Sequence, residues 1–258
     1  MSMVQAQVLY DSVLYRQRTN VFYTGTNLDG FEPINAFDWR DFSIFRASIG
    51  SVDIKVQLPN GGLIDTLVIW QPAGGPSAPV VTASTSPDGV TWTPIGNVVS
   101  LNDGAIRWVD LTPTTVPAMG WVKVNINDAT YTSDWRQISI GAKLTFPMGQ
   151  WAGINPPKLH QGVVVDNVIA NNGSILGRNL RRLEKKGQIT LSLLLPEWVR
   201  TYWDAFAIEC GKHAFWHRWD PVGHPTEVSF AAAESIDAPT NAMPPPRMNV
   251  SMPIRFLT

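Results

Sequence analysis

The tripeptide Trp39-Arg40-Asp41 is the first place in the chain where residue types that bind a polar ligand stand side by side. A tryptophan ring stacks on the apolar face of a sugar ring, and the adjacent guanidinium and carboxylate groups can hydrogen-bond to its hydroxyls. For any single tryptophan in a loop, packing at the end of a β-sandwich is the competing interpretation. We predict that Trp39, Arg40 and Asp41 form a ligand-binding site.

A thiol and two imidazoles, from Cys210, His213 and His217, have spacings that could serve a metal or a nucleophile with its base. However, Cys210 falls on the apolar face of a predicted helix, and a buried thiol lacks the accessible, electropositive surroundings that activate it. A CxxH pair without a second pair is also a weak zinc signal. We therefore predict no catalytic residue, no metal and no cofactor. Carboxylates paired only in space, as in glycoside hydrolases, are left open.

Residues 178–186 (RNLRRLEKK) contain five of the twenty basic side chains and one acid. One interpretation is a solvated hairpin tip. The other, which we favour, is a contact with a neighbouring subunit or another negative surface. That contact would be made by Arg178, Arg181, Arg182, Lys185 and Lys186. No aromatic residue interleaves this run, and the net charge of the chain is −1, so we expect no binding to nucleic acid.

Composition favours an all-β protein that contacts other chains. Charged residues make up 16% of the 258 residues, against about 25% in typical soluble domains. Glycine and proline occur 20 times each, and tryptophan 11 times. The single cysteine excludes a disulfide within the chain. Residues 1–18 contain no apolar segment of signal-peptide length, and no stretch is apolar enough to span a membrane, so we expect synthesis in a cytoplasm.

Period-two alternation and turn clusters predict short strands through the first half. Val52, Ile54, Val56 and Leu58 alternate with polar residues, and residues 63–70 (LIDTLVIW) form an apolar run between turns. A helix is predicted near 196–210, where Pro196 suits the first turn. Its apolar face is predicted from the spacing of four residues, which are Val199, Trp203, Phe206 and Cys210. The Gly- and Pro-rich stretch near 147 divides the chain into domains 1–147 and 148–258.

Three motifs occur in an order that resembles the discoidin, or factor 5/8 type C, domain. They are NAFD at 35–38, FRAS at 45–48 and SPDGVTW at 86–92, and WVKV at 121–124 is similar to a late strand of that family. Two positions depart from the family pattern, because Trp39 replaces a small residue and Phe45 replaces a tryptophan. The resemblance covers residues 1–147. It implies a galactose-binding-like jelly-roll β-sandwich whose loops at one end bind glycans or lipid headgroups.

The second half resembles the ring domain of distal tail and minor tail proteins of tailed bacteriophages. The resemblance rests on LGRN at 176–179, EWVR at 197–200, FWHRWDP at 215–221 and the alternating strand that ends the chain. It implies a mainly β chain in which the sandwich is followed by a small split β-barrel with one helix. Copies of the barrel would form a ring that continues the tail tube, hexameric on a sixfold tube and trimeric nearer a central spike.

The function expected from these features is that of a structural subunit of a phage tail tip or baseplate. Its partners would be copies of itself and the tube and hub proteins, it would assemble in the host cytoplasm, and it would reside in the virion tail. The sandwich would be displayed outward and could touch a host surface glycan. The first alternative is a carbohydrate- or receptor-binding module, and the second is an enzyme such as a glycan depolymerase.

Overall fold

A computed structural model describes nine stretches of the chain. They are residues 5–26, 28–40, 42–73, 78–99, 103–148, 163–171, 174–182, 185–243 and 246–257, with the main chain alone described at 99, 163, 164 and 180–182. The protein is mainly β, with 52% of its residues in strands and 12% in helices. The fold class expected from the sequence is therefore confirmed.

Within the described stretches, strands occur in both halves of the chain, together with three short helices. In chain order the strands are β1 (Gln7–Leu9), β2 (Val21–Tyr23), β3 (Phe45–Ala47), β4 (Gly50–Leu58), β5 (Gly62–Trp70), β6 (Val80–Ser86), β7 (Thr93–Val99), β8 (Ile106–Val116), β9 (Gly120–Asp128), β10 (Ser133–Trp135), β11 (Gln137–Gly141), β12 (Leu144–Thr145), β13 (Val163–Ile169), β14 (Ile175–Arg182), β15 (Lys186–Leu194), β16 (Phe215–Arg218), β17 (Val228–Ala233), β18 (Thr240–Ala242) and β19 (Arg247–Phe256). The helices are α1 (Val13–Arg16), α2 (Pro196–Trp198) and α3 (Asp204–Cys210), with 3-10 turns at Arg18–Asn20 and Pro33–Ala36.

The first half of the chain is an antiparallel sandwich of two main sheets. One sheet has the strand order β2-β4-β9-β6-β7 and the other the order β11-β5-β8, while β3 and β10 form a separate pair. The predicted alternation is confirmed, since Val52, Ile54 and Val56 on β4 are buried and their neighbours lie at least partly open to solvent. These residues pack into one core with the buried side of β9 and with β5 and β11.

Outside the sandwich, a further antiparallel sheet has the strand order β12-β1-β16-β17-β19-β15, and β18 pairs with β19. It is called the second sheet below. Its first two strands come from the segment that the sequence assigned to the first domain. Gln7 pairs with both Thr145 and Arg218, and Val8 is buried in the same core as Phe206 and Phe215. The chain therefore crosses into the second sheet at both ends of the sandwich, which the local sequence pattern does not reveal.

The predicted helix is present and is continuous from Pro196 to Cys210. It consists of α2, a π-helical turn at Val199–Trp203 and α3. Val199, Trp203, Phe206 and Cys210 are all buried against the second sheet, so the apolar face expected from their spacing is confirmed. Within the described stretches, no helix is long and apolar enough to cross a membrane.

An aromatic cluster, here called the junction, joins the sandwich to the second sheet. Trp39 and Trp70 of the sandwich pack with Trp216 and Phe230 of the second sheet. The indole N–H of Trp216 donates to the Ser139 hydroxyl at 2.9 Å, so polar contacts reinforce this junction. Because the ring faces and edges interlock, the junction fixes the orientation of the sandwich loops that lie over it.

Candidate binding cleft beside Arg40

The loop that follows the NAFD motif is closed by the carboxylate of Asp38. One oxygen accepts the main-chain N–H of Arg40 at 2.9 Å, and the other accepts the Ser43 hydroxyl at 2.8 Å. Gln137 on β11 donates its amide N–H to the Arg40 carbonyl at 2.7 Å and lies 3.4 Å from Asp38. Charge-assisted hydrogen bonds to Asp38 thus close the loop on itself, and the amide of Gln137 ties the closed loop to the sandwich.

Trp39 lies beneath this loop and not on its surface. The residue is 7% exposed, and its ring is stacked between His213, at a centroid distance of 4.9 Å, and Phe230, at 5.8 Å. Its main chain is left-handed (φ 62°), a conformation that costs about 1–2 kcal/mol for a residue with a Cβ. Burial of the ring offsets this cost. Both ring faces are covered, so the stacking surface predicted for a sugar is used here to join the two sheets.

Tyr15 packs against this buried tryptophan, and Arg18 packs against Tyr15. The Tyr15 ring meets Trp39 edge to face at 5.8 Å and His213 at 4.7 Å. Arg18 places its guanidinium 4.5 Å from the centre of the Tyr15 ring and donates to the Tyr15 carbonyl at 3.3 Å. The 3-10 turn that contains Arg18 is therefore held in position by the same cluster that anchors the loop.

A cleft of about 300 Å³ lies between the loop that contains Arg40 and the 3-10 turn that contains Arg18. Its lining consists of Tyr15, Arg18, Ile34, Asn35, Asp38 and Arg40. The Arg40 side chain is 65% exposed, and its Nε lies 3.9 Å from the Asp38 carboxylate. The volume is at the lower end of the range for small-molecule sites. A single sugar ring is therefore the size of ligand that this cleft suits.

The exposed aromatic ring of the loop belongs to Phe42. It is 75% exposed, and the Arg40 guanidinium carbon lies 6.0 Å from its ring centre. Phe42 thus has the open ring that the sequence assigned to Trp39. Asp41, the third residue of the predicted site, lies outside the described residues.

The chemistry of the cleft is cationic with one apolar wall. Arg18 and Arg40 contribute two guanidinium groups against the single carboxylate of Asp38, which its own loop already engages. A guanidinium has five N–H donors. Among the described residues, the Arg18 side chain donates one hydrogen bond, and the Arg40 guanidinium makes its long contact with Asp38 and lies near the Phe42 ring. Both side chains line the cleft, and each has guanidinium N–H groups that could donate to a carboxylate or to sugar hydroxyls.

Other polar groups noted in the sequence stabilise turns or are packed in the interior. Asp88 in the SPDGVTW motif accepts the main-chain N–H groups of Thr91 and Val90, which lower its pKa to about 2. Burial raises the pKa of the Cys210 thiol well above its usual value, and the His213 ring is stacked on Trp39. In the stretches that the structure covers, no three His, Cys, Asp or Glu side chains are grouped to hold a metal ion.

The predicted basic contact residues lie on a hairpin, here called the arm, that consists of β13 and β14, and at the start of β15. Arg178 is exposed on β14 and donates to the Asn167 side chain at 3.1 Å. The main chains of Arg181 and Arg182 belong to β14, and their side chains are outside the described set. Lys186 pairs with Glu234 at 2.9 Å, and Lys185 precedes it. The arm lies apart from the cleft-lining residues in sequence and shares no sheet with them.

Tyr15, Arg18 and Ile34 were missed by the sequence analysis. The NAFD motif identifies the loop, but Tyr15 and Arg18 belong to an N-terminal segment without a recognisable pattern. Tyr15 is positioned by its contact with His213, about two hundred residues away in the chain, and Arg18 packs on Tyr15. Phe42 could have been noticed, because it stands one residue beyond the predicted tripeptide.

No protein-family model matches the chain, and no curated protein does. Solved structures of carbohydrate-binding modules are similar to it. A chitosan-binding module derived from a chitosanase/glucanase of Paenibacillus sp. IK-5 is 20% identical, over 48% of this chain and 94% of that one, at a TM-score of 0.38. A module from Clostridium perfringens in complex with GalNAc-β-1,3-galactose is 14% identical, over 49% and 98%, at 0.39. A pectin-binding module is 19% identical, over 52% and 93%, at 0.42.

Proposed function

We propose that the chain is a non-catalytic carbohydrate-binding protein whose cleft beside Arg40 binds an acidic sugar. The observation that supports this most strongly is the pair of guanidinium groups, from Arg18 and Arg40, at the rim of a cleft of about 300 Å³. A carboxylate accepts two parallel hydrogen bonds from a guanidinium, and such charge-assisted pairs are about twice as strong as neutral ones. Ile34 and the Tyr15 ring would contact the apolar side of the sugar.

Phe42 extends this site outward. An exposed aromatic ring next to Arg40 is suited to stack on a second sugar ring of an oligosaccharide. Replacing Phe42 with alanine should therefore weaken binding of a disaccharide and leave binding of the monosaccharide unchanged.

Titration calorimetry with a hexuronate and its parent hexose tests the proposal. The wild-type protein should bind the hexuronate more tightly, and Arg40→Ala or Arg18→Ala should weaken that binding by about tenfold or more, as expected for a hydrogen bond to a charged group. Arg255→Ala is the matched control, since this exposed arginine pairs with Glu234 on the second sheet. Equal affinity for the acid and the neutral sugar would contradict the proposal.

We propose as a second candidate that the chain is a self-assembling structural subunit, such as a ring component of a phage tail tip in the virion. The arm supports it. Its two strands pair with each other alone among the described residues, and an isolated two-stranded ribbon is marginally stable in water. Val168, Ile169, Ile175 and Leu176 are exposed at its end, and Arg178 follows them. A neighbouring copy that covers these apolar side chains would stabilise the arm.

Light scattering over a concentration series tests this second candidate. A discrete ring of six or three copies is expected, and Leu176→Glu should shift it to monomer. Val222→Glu, at an exposed position on a different loop, is the control. A wild-type monomer at every concentration would contradict self-assembly and leave the sugar site unaffected.

A further inference from the structure

Two lysines stand directly opposite each other in the middle of the five-stranded sheet. Lys55 on β4 is the register partner of Lys123 on β9, and both point to the face away from the core, because Ile54, Val56, Val122 and Val124 point inward. Like charges at opposed positions destabilise an antiparallel pair. This arrangement therefore needs a compensating interaction.

One carboxylate serves both ammonium groups. Asp53 lies 3.1 Å from the Lys55 nitrogen and 3.9 Å from the Lys123 nitrogen. The same carboxylate also accepts a hydrogen bond of 2.7 Å from the Asn125 amide, which fixes its position. Two positive charges thus share a single negative one that is held in place from a third side.

The ammonium groups of both lysines lie over the ring of Trp92. The Trp92 ring centre is 4.6 Å from the Lys123 nitrogen and 5.7 Å from that of Lys55. The Lys55 and Lys123 side chains remain 27% and 17% exposed, so solvent still reaches them. A cation over an aromatic face is stabilised by the ring quadrupole, but its charge is not neutralised.

A second aromatic surface lies two positions along β9 from Lys123, on the same face of the sheet. Trp121 pairs with Gln57 in the register, two residues from Lys123, and its ring centre is 5.5 Å from that of Phe22. Phe22 is itself the register partner of Lys55. The open face of the sheet therefore combines two lysines that share one carboxylate with an aromatic pair, of which Phe22 is exposed and Trp121 partly buried.

We infer that this lysine pair is a second binding site, distinct from the cleft, for an anionic saccharide. A carboxylate or sulfate between Lys55 and Lys123 would supply the missing negative charge. The attached sugar ring would lie towards Trp121 and Phe22, where an aromatic surface is available. The inference shares only the class of ligand with the proposed function, because none of its residues lines the cleft.

Binding of a hexuronate disaccharide in an Arg40→Ala background, where the cleft is disabled, tests the inference. The indole N–H resonances of Trp92 and Trp121 should shift on titration. Lys55→Gln, which keeps an amide donor for Asp53 but removes the charge, should weaken binding by about tenfold. Its unfolding temperature should be unchanged or higher, because the repulsion with Lys123 is gone. Lys212→Gln, at an exposed lysine paired with Glu209 on the helix, is the control.

Three results would overturn the inference. The first is a Lys55→Gln protein that binds as tightly as its parent; a lower unfolding temperature of that protein would then show that the lysines are structural. The second is inorganic sulfate that binds as tightly as the disaccharide, which would reduce the site to a bare anion site. The third is complete loss of binding in Arg40→Ala while the wild type binds at the cleft, which would refute the second site without affecting the first.

Discussion

The junction and the arm differ in the exposure of their apolar side chains. At the junction, Trp39, Trp216 and Phe230 are buried and pack together, and the cleft is lined by Asp38 and Arg40 next to Trp39 and by Tyr15, which packs on it. At the arm, aliphatic side chains such as Leu176 are exposed, and the two strands have only each other as partners among the described residues. Buried aromatic packing would preorganise the proposed ligand site, whereas the exposed aliphatic ribbon would be stabilised by the proposed neighbouring copy.

Removing the anchor of the junction should have the largest effect. Trp39→Ala deletes a buried ring that contacts His213 and Phe230, so we expect a loss of about 3–5 kcal/mol in the free energy of unfolding, typical of a buried tryptophan replaced by alanine. Chemical denaturation measures it. Phe42→Ala, at the exposed ring of the same loop, should change stability by less than about 0.5 kcal/mol. Similar losses in both variants would contradict the assignment of Trp39 to the junction.

Acid should weaken the second sheet next to the junction. His217 on β16 is fully buried, and desolvation lowers its pKa from 6.5 to about 4. Below pH 6.5 the unfolded chain binds a proton that the folded chain accepts only near pH 4. The contribution of His217 is therefore complete above pH 6.5 and falls by about 3 kcal/mol as the pH drops through that window.

Denaturation curves at several pH values for the wild type and His217→Phe measure this contribution. The variant should lose less stability than the wild type between pH 6.5 and pH 4. Parallel pH profiles would show that His217 is not buried in its neutral form.

Opening the loop above the junction should have an intermediate effect. Asp38→Ala removes the acceptor of the Arg40 main-chain N–H and the Ser43 hydroxyl, and it leaves the donors of a partly buried loop unpaired. We expect a loss of about 1–3 kcal/mol in stability and weaker sugar binding. Asp103→Ala, at an exposed turn on another edge, is a control for loss of a turn aspartate. Unchanged sugar affinity in Asp38→Ala would mean that the loop does not position the site.

The smallest effect on the isolated fold should come from the arm. Leu176→Glu changes an exposed side chain, so the monomer should differ in stability by less than about 0.5 kcal/mol. Thermal unfolding of a dilute sample tests this. A large destabilisation would mean that Leu176 packs within its own chain, and the contrast between arm and junction would then be wrong.

Local patterns in the sequence were sufficient for the elements but not for their long-range pairing. The alternation on β4 and the buried helix face follow from a few neighbouring residues, and both were predicted correctly. The position of β1 depends on pairing with Arg218 and His217 at the other end of the chain, and no local signal encodes that register. The predicted boundary at 147 was placed from local composition, and β1 and β12, which precede it in the chain, pair in the second sheet.

The candidate site shows the same limit. Arg40 was predicted from residue type, and the structure places it at a cleft. Trp39 was given an open ring because its neighbours in sequence are polar, but His213 and Phe230 cover it from far along the chain. The opposed lysines became visible only when the register of β4 and β9 was known, since they are 68 positions apart in sequence.

A crystal structure of the protein soaked with a hexuronate at saturating concentration tests the central claim most directly. We predict that the sugar lies in the cleft, with carboxylate oxygens about 3 Å from the guanidinium nitrogens of Arg40 and Arg18 and the ring against Tyr15 and Ile34. A cleft without the sugar, or a sugar bound there through contacts that leave both arginines free, would contradict it.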